Sequence, residues 1–270
     1  MRPMDWIITG ASRGIGRALT VALVARASEG DRVLVLARDA ARLAELRHTL
    51  ESPRCAVIPL AVDLARPGEA AAAGERLAGQ LSAGATLVHN AGLWPSRRVV
   101  VDGLESAFAI HCMGPLALQA PLLEAGLLSR VLVVSAGLLI KGRFDPERTP
   151  TGADFSGFRT YCTTKLAGAV VMRDVARRHP AVDFAIIHPG VVATDLGARR
   201  GPLGWLLQLV KRRWESPETC AARLLRVLDR PRWETTPGEA PWYHEDSPQP
   251  WPAVVDEQEA AVLSTVAPLR

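Results

Sequence analysis

The chain has 270 residues, 48% of them hydrophobic, so it is long and apolar enough to bury a large core in one domain. Its formal net charge is +4, but 32 basic residues are scattered among 28 acidic ones, which argues against a nucleic-acid-binding surface. Four cysteines (Cys55, Cys112, Cys162 and Cys220) form no C-x-x-C pair, and neither they nor the six histidines show metal-ligand spacing. We therefore expect reduced thiols, no metal site and a cytoplasmic location.

Targeting signals are not expected. The first predicted strand begins almost at Met1, which leaves no room for a signal peptide, and we expect no uncharged apolar run long enough to span a bilayer.

Short apolar strands alternate with longer helical patterns along the chain. The predicted strands cover residues 6–9, 33–37, 56–60, 86–90, 131–135 and 184–188, and the predicted helices lie near 14–27, 39–51, 67–82, 102–124, 158–178 and 216–229. This alternation is typical of an α/β fold with a doubly wound parallel sheet, in which ligands bind beyond the carboxyl ends of the strands. We expect one domain over 1–270, with 231–270 packed on it as an irregular C-terminal segment.

A glycine-rich loop joins the first predicted strand to the first helix, with the sequence TGASRGIG over residues 9–16. Glycine permits a tight turn and lets backbone amides approach an anion, while the following helix directs its positive dipole end to the same place. The loop predicts a dinucleotide phosphate site, although an ordinary strand–helix turn has the same appearance. The expected contacts are Gly10, Ser12, Arg13, Gly14, Ile15 and Gly16.

The residue after the second strand indicates which dinucleotide is bound. An acidic side chain there would hold the ribose hydroxyl of NAD, but this chain has Arg38. A guanidinium suits a 2′-phosphate, and Arg13 could approach the same phosphate, so NADP is favoured. A solvated surface charge, or a partner for neighbouring Asp39, is the alternative explanation of Arg38.

Two further turns follow strands three and four. Asp63-Leu64 and Asn90-Ala91-Gly92 place small or hydrogen-bonding groups where adenine and ribose would lie, although these residue types also favour plain turns.

These motifs together resemble the short-chain dehydrogenase/reductase family, with its Rossmann-type fold. The glycine loop, Asp63, Asn90-Ala91-Gly92, the segment YCTTK at 161–165 and the stretch from His188 to Thr194 occur in the family's order. The resemblance implies that Tyr161 donates or accepts a proton and that Lys165 binds the nicotinamide ribose and lowers the Tyr161 pKa. It also implies that the segment from Pro189 to Thr194 flanks the nicotinamide, through Pro189, Gly190, Val192 and Thr194.

The chemistry of Tyr161 and Lys165 also follows from their spacing. Four residues apart on a predicted helix, they share a face, and an ammonium one turn away favours a phenolate. Reduction of a carbonyl requires a hydride and a proton, and Tyr161 can supply the proton.

Two expected polar residues are replaced. The family's substrate-orienting serine aligns with Ala136, and Ser135, one residue earlier, points to the other face unless the strand end bends. Ser135, Ser156 and Thr160 are the candidate replacements. The family's helix asparagine is matched by His111, which could relay protons or only bond within its helix.

The substrate region includes two segments. The stretch 137–159 is longer than in compact members, resembles the retinol-dehydrogenase-like branch and is expected to line one wall of the site. Residues 194–214 hold an apolar run that ends in basic residues, where the family has a mobile lid. The run could also lie on a membrane surface or pack in the core or in a homo-oligomer.

The predicted function is NADP-dependent hydride transfer to or from a bulky, largely apolar carbonyl or alcohol, with a small-molecule substrate as the partner. Two alternatives remain open: a catalytically impaired NADP-binding sensor or scaffold, and a non-redox cyclase or lyase that uses Tyr161 or His111 as acid or base.

Overall fold

The computed structural model describes residues 3–50, 52–192, 215–233 and 236–269. The strands are β1 Asp5–Thr9, β2 Asp31–Ala37, β3 Cys55–Ala61, β4 Ala85–His89, β5 Val100–Val101, β6 Leu104–Glu105, β7 Leu128–Val134, β8 Asp183–His188, β9 Trp242–His244 and β10 Ser247–Gln249. The helices are α1 Gly14–Arg26, α2 Ala40–Thr49, α3 Pro67–Ala78, α4 Ser106–Glu124, α5 Gly157–Arg178, α6 Pro217–Leu228 and α7 Ala253–Val266.

Eight strands form one sheet in the order β10-β9-β8-β7-β4-β1-β2-β3, and every neighbouring pair is parallel except β9 and β10. The order reverses between β1 and β4, so the crevice between their carboxyl ends is where such a sheet binds its ligand. This topology confirms the predicted doubly wound, Rossmann-type α/β fold.

Apolar residues cover both faces of the sheet because successive strand side chains point to opposite sides. Ile7 joins the core beneath α3, α4, α5 and α7, whereas Ile8 joins the core beneath α1, α2 and α6. All four cysteines are buried.

The expectation of an irregular segment at 231–270 is wrong. Within its described part, β9 pairs with β8, β10 pairs with β9, and α7 packs on the core. The prolines obscured these strands, but Pro248 lies in the edge strand, where a missing backbone donor is tolerated. These strands of three residues are ordered by pairing, β9 with β8 and β10 with β9, which a local pattern does not reveal.

Helix α4 differs from its prediction in two ways. It begins at Ser106 rather than near 102, because a short hairpin of β5 and β6 precedes it and the Glu105 carboxylate accepts hydrogen bonds from the Ala107 and Phe108 amides. It also contains a π-helical turn, Ala109–Met113.

By length and composition, α4 could cross a membrane. It has 19 residues, and its apolar window has a mean hydropathy of 1.3. This is contrary to the expectation that no uncharged apolar run is long enough to span a bilayer. Within the fold, 78% of that window is buried. Burial of this kind is typical of a central core helix.

Candidate active site

The glycine loop between β1 and α1 is closely packed against the end of β4. Gly10 and Gly14 have φ values of +68° and +55°, which favour glycine, and a Cβ on Gly16 would lie 2.4 Å from the Gly10 carbonyl oxygen. Side chains at Gly10 and Gly16 would therefore disrupt the turn.

Asn90 holds this loop in place. Its Nδ2 donates to the Thr9 carbonyl oxygen at 3.0 Å, and the backbone amides of Asn90 and Ala91 both donate to Thr9 Oγ1 at 3.0 Å. Asn90 therefore joins the carboxyl ends of β1 and β4 at the switch point.

The N-terminus of α1 fits a phosphate group. Arg13 at the N-cap makes no side-chain capping bond, and the first turn has no acidic residue. The first amides of the helix and its positive dipole end are thus left for an anion. Ser12 and Ile15 are half-buried in the same loop, so the chain would hold the dinucleotide phosphates here.

Arg38 lies at the end of β2, with 64% of its side chain exposed and Nε 4.0 Å from Asp63 Oδ1. Asp39 is not its partner: Asp39 accepts the Arg42 amide at the start of α2 and pairs with the Arg42 guanidinium. The Arg38 guanidinium is therefore accessible and only loosely paired, as a 2′-phosphate ligand needs to be.

The turn after β3 is internally bonded. Asp63 Oδ1 accepts the Ala65 amide at 3.0 Å, while Leu64 is buried with its carbonyl oxygen 2.2 Å from where a Cβ on Gly114 would be. Leu64 thus packs against α4, and Asp63 both shapes the turn and faces Arg38.

Tyr161 and Lys165 lie one turn apart in α5, as predicted, and both are buried. Lys165 Nζ donates to the Val134 carbonyl oxygen at 2.9 Å, and burial lowers the pKa of Lys165 to about 8. A Cβ on Gly92 would lie 3.5 Å from Nζ, so the ammonium adjoins the turn that carries Asn90.

The protonation of Tyr161 differs from the expectation. Burial, with a smaller contribution from neighbouring Cys162, raises its pKa above the usual value of about 10. The Lys165 ammonium is directed to Val134 instead, and desolvation of the phenolate dominates. Tyr161 is therefore a neutral phenol that can donate a proton.

His111 lies in the π-helical turn of α4 with both ring nitrogens engaged. The Leu93 amide donates to Nε2 at 2.9 Å, so Nδ1 carries the proton and faces Thr164 Oγ1 at 2.9 Å; Thr164 in turn donates to the Thr160 carbonyl oxygen. Burial, and then the Lys165 charge, hold the pKa of His111 well below its usual value. A proton relay through this neutral ring would have to break one of these bonds.

The methyl group of Ala136 packs with Tyr161 and Cys162. The Ser135 hydroxyl is buried and has no hydrogen-bond partner in the described parts of the chain. Thr160 Oγ1 accepts a hydrogen bond from the backbone amide of Ser156, the residue that precedes α5. The hydroxyls of Ser135, Ser156 and Thr160 make no hydrogen bond to Tyr161 in this structure.

Trp94 is a site residue that the sequence analysis did not identify. Its indole stacks on the Tyr161 phenol with ring centroids 4.3 Å apart and planes 15° apart, and the His111 ring meets the phenol edge-on at 5.8 Å. Trp94 directly follows the Asn90–Leu93 turn, and an aromatic residue there was the available signal.

The segment after β8 is described as far as Val192. Gly190 has a φ of +94°, and Val192 forms a β-bridge with Glu215. Thr194 and the predicted lid over 194–214 lie outside the described residues.

Arg223 in α6 is a second residue that was missed. It is only 6% exposed, and its Nη1 donates to the Pro189 carbonyl oxygen at 2.6 Å and to Glu215 Oε2 at 2.7 Å. Glu245 Oε2 lies 3.4 Å from Nη2. Arg223 therefore stabilises the Pro189-Gly190 turn through its hydrogen bond to the Pro189 carbonyl oxygen. The sequence pattern around Arg223 does not predict these contacts.

Comparison with known proteins agrees with this geometry. The model of the short chain dehydrogenase family matches residues 6–128. A protein of Streptomyces sp. (strain C5), to which daunorubicin C-13 ketoreductase activity is ascribed, is 30% identical over 194 residues, covering 71% of this chain and 67% of that protein. Retinol dehydrogenase 14 of Mus musculus is 29% identical over 210 residues, covering 71% of this chain and 62% of its own length.

Among solved structures, the NADP-bound 3-oxoacyl (acyl-carrier-protein) reductase of Agrobacterium tumefaciens C58 superposes with a TM-score of 0.69 at 21% identity, covering 91% of this chain and 95% of that one. This likeness shows the shared fold. From the fold, the matched family model and the Streptomyces relative, the chain belongs to the short-chain dehydrogenase/reductase family of oxidoreductases.

Proposed function

We propose that the protein is an NADP-dependent oxidoreductase that interconverts a bulky, largely apolar carbonyl compound and its alcohol. The observation that carries this proposal is the placement of the Lys165 ammonium beside Gly92, two residues from the asparagine that holds the glycine loop. The catalytic pair and the phosphate site thus share one crevice.

NADPH held by the glycine loop and Arg38 would supply the hydride that the carbonyl carbon accepts. Tyr161, held neutral by burial, gives its phenolic proton to the carbonyl oxygen as negative charge develops there. The Lys165 ammonium stabilises the tyrosinate left behind, because opposite charges nearby favour the ionised phenol. In the oxidation direction, the same groups take the proton back.

Accessible arginines support NADP as the cofactor. Arg13 within the glycine loop and Arg38 after the end of β2 are both exposed, and an arginine fork suits a 2′-phosphate. The Agrobacterium structure of the same fold has NADP bound.

The substrate class is inferred from the rim of the site. Leu138 and Ile140 are exposed apolar residues in the segment between β7 and α5, and Phe158 is exposed in the first turn of α5; together they offer a surface for an apolar molecule. The names of the relatives, with retinol and daunorubicin, also point to bulky ligands.

The proposal is tested by mixing the purified protein with NADPH and a panel of retinoid, long-chain and aromatic carbonyl compounds. Loss of reduced nicotinamide absorbance, together with formation of the matching alcohol, is expected. Product without NADPH consumption would instead support non-redox chemistry.

The methyl group of Ala136 beside Tyr161 favours a second candidate, an NADP-binding sensor. Loss of one oxyanion donor typically costs about 10²–10³ in rate. Tight NADPH binding without turnover of any carbonyl in the panel would favour this candidate over the reductase.

Carbonyl reduction is expected to slow as the pH rises through about 8. The pKa of Lys165 is lowered to about 8 by burial, so its charge is present below that pH and lost above it. The pH profile of kcat/KM at saturating NADPH measures this decline. In Lys165→Met, the decline in kcat/KM near pH 8 should be absent. A wild-type profile that stays flat to pH 10 would contradict the assignment.

The lowered pKa of Lys165 also makes the stability of the fold depend on pH. Above pH 8 the unfolded chain binds the lysine proton more tightly than the folded chain, so the free energy of unfolding should rise with pH until the unfolded lysine also deprotonates. Lys165→Met should weaken this rise.

A further inference from the structure

The phenol of Tyr161 is covered on one side by an aromatic neighbour. The Trp94 indole lies nearly parallel to it at 4.3 Å, and Tyr161 is only 6% exposed, while Trp94 is half-buried. The indole therefore offers a contact surface to a substrate whose carbonyl oxygen reaches the Tyr161 hydroxyl.

Trp94 is held on both sides in the chain. The preceding Leu93 amide is bonded to His111 Nε2, and the following Pro95 carbonyl oxygen lies 2.6 Å from where a Cβ on Gly157 would be. The close approach at Gly157 brings the loop against the first turn of α5, four residues before Tyr161. The backbone on both sides of Trp94 is thus held before a ligand binds, which reduces the ordering cost of binding.

The aromatic surface continues outward to Phe158. The Trp94 and Phe158 centroids are 6.1 Å apart, with planes tilted by 49°, and Phe158 is 51% exposed. Two arginines near these rings in the sequence are engaged elsewhere, because Arg98 donates to the Thr151 carbonyl oxygen and Arg159 to that of Asp154. Aromatic rings therefore lead from the proton donor to the protein surface.

We propose that Trp94 and Phe158 form an aromatic shelf that selects substrates whose carbonyl group is attached to a planar aromatic ring. The inference rests on the proposed function in taking the Tyr161 hydroxyl as the proton donor. Offset or edge-on contacts between rings add a favourable term beyond the area that they bury, and a saturated ring does not gain that term. The shelf thus determines specificity, whereas Tyr161 performs the proton transfer.

The test compares the binding of two ketones of the same skeleton, 2-acetylnaphthalene and its fully saturated decalin counterpart, to the protein with NADP⁺ present. Calorimetry measures both affinities without requiring turnover. The wild type should bind the naphthyl ketone about 3- to 10-fold more tightly, which corresponds to one or two aromatic contacts. The saturated ring is at least as hydrophobic, so burial alone predicts no such preference.

Substitutions at Trp94 and Phe158 test whether these two rings cause the preference for the naphthyl ketone. Trp94→Leu and Phe158→Leu should each reduce the preference toward unity, whereas Trp94→Phe, which keeps a ring, should retain most of it. Trp251→Leu is the matched control, because Trp251 is a half-buried tryptophan that packs against Trp242 in the C-terminal segment. It should leave the preference unchanged.

Failure of the shelf and failure of the reductase give different results. A wild-type preference near unity overturns the shelf even if NADPH is consumed, as does a preference that survives both leucine substitutions. A preference for the naphthyl ketone that depends on Trp94, without NADPH oxidation, supports the shelf and overturns the reductase. If Trp94→Leu does not fold, Phe158→Leu still tests the shelf, because the Phe158 side chain is half-exposed and its replacement should not disrupt the core.

Discussion

Tyr161→Phe is expected to lower the kcat for carbonyl reduction by at least about 10²-fold, since a positioned general acid typically contributes 10²–10⁴. The substitution removes one oxygen and leaves the stacking surface that Trp94 covers. NADPH binding should be unchanged, because the phosphate site lies on the glycine loop. Steady-state kinetics and a fluorescence titration of NADPH measure the two effects separately.

Tyr243→Phe provides the matched control, because Tyr243 is the other tyrosine of the chain. It is buried in the core beneath α6, where its hydroxyl bonds to Arg230 and to the Trp233 carbonyl oxygen. Its loss should cost about 1 kcal/mol of stability but no turnover. Equal rates for wild type and Tyr161→Phe would mean that another group delivers the proton.

Arg38→Glu is expected to reverse the cofactor preference from NADPH to NADH. Hydrogen bonds to a charged partner are worth about 1.5–3 kcal/mol, so NADPH affinity should fall by about 10- to 100-fold. A carboxylate at the end of β2 repels a 2′-phosphate but can accept the ribose hydroxyl of NADH. The pairing with Asp63 at 4.0 Å is loose and gives little resistance to the change.

Arg42→Glu makes the same change in net charge in the first turn of α2. Arg42 pairs with the Asp39 that starts its own helix, so this variant tests the effect of charge alone. It should weaken NADPH binding only slightly and keep the preference. If the ratio of NADPH to NADH affinity is the same in wild type and Arg38→Glu, Arg38 does not choose the cofactor.

Local patterns were sufficient for the fold and for much of the site. Six strands and the helices between them were predicted to within a few residues because a strand buried on both faces is a continuous apolar run, whatever its neighbours. The glycine loop was recognisable because its backbone requirements lie within eight residues. The placement of Tyr161 and Lys165 on one face of α5 followed from their spacing of four residues.

Contacts between distant parts of the chain were decided by the tertiary structure. His111 and Thr164 are 53 positions apart, and Arg223 reaches the Pro189 carbonyl oxygen across 34 positions. The raised pKa of Tyr161 and the lowered pKa of Lys165 both result from burial, which depends on how the whole domain packs around α5.

The sequence by itself thus determined most of the elements and the glycine loop, and it placed Tyr161 and Lys165 on one helix face, since each of these features depends on neighbours within a turn or a strand. Only the tertiary structure decided that Trp94 stacks on Tyr161, that the methyl of Ala136 packs beside the phenol, and that a C-terminal hairpin extends the sheet. These features require surfaces that are created when remote segments pack together, and such surfaces leave no periodicity in the chain.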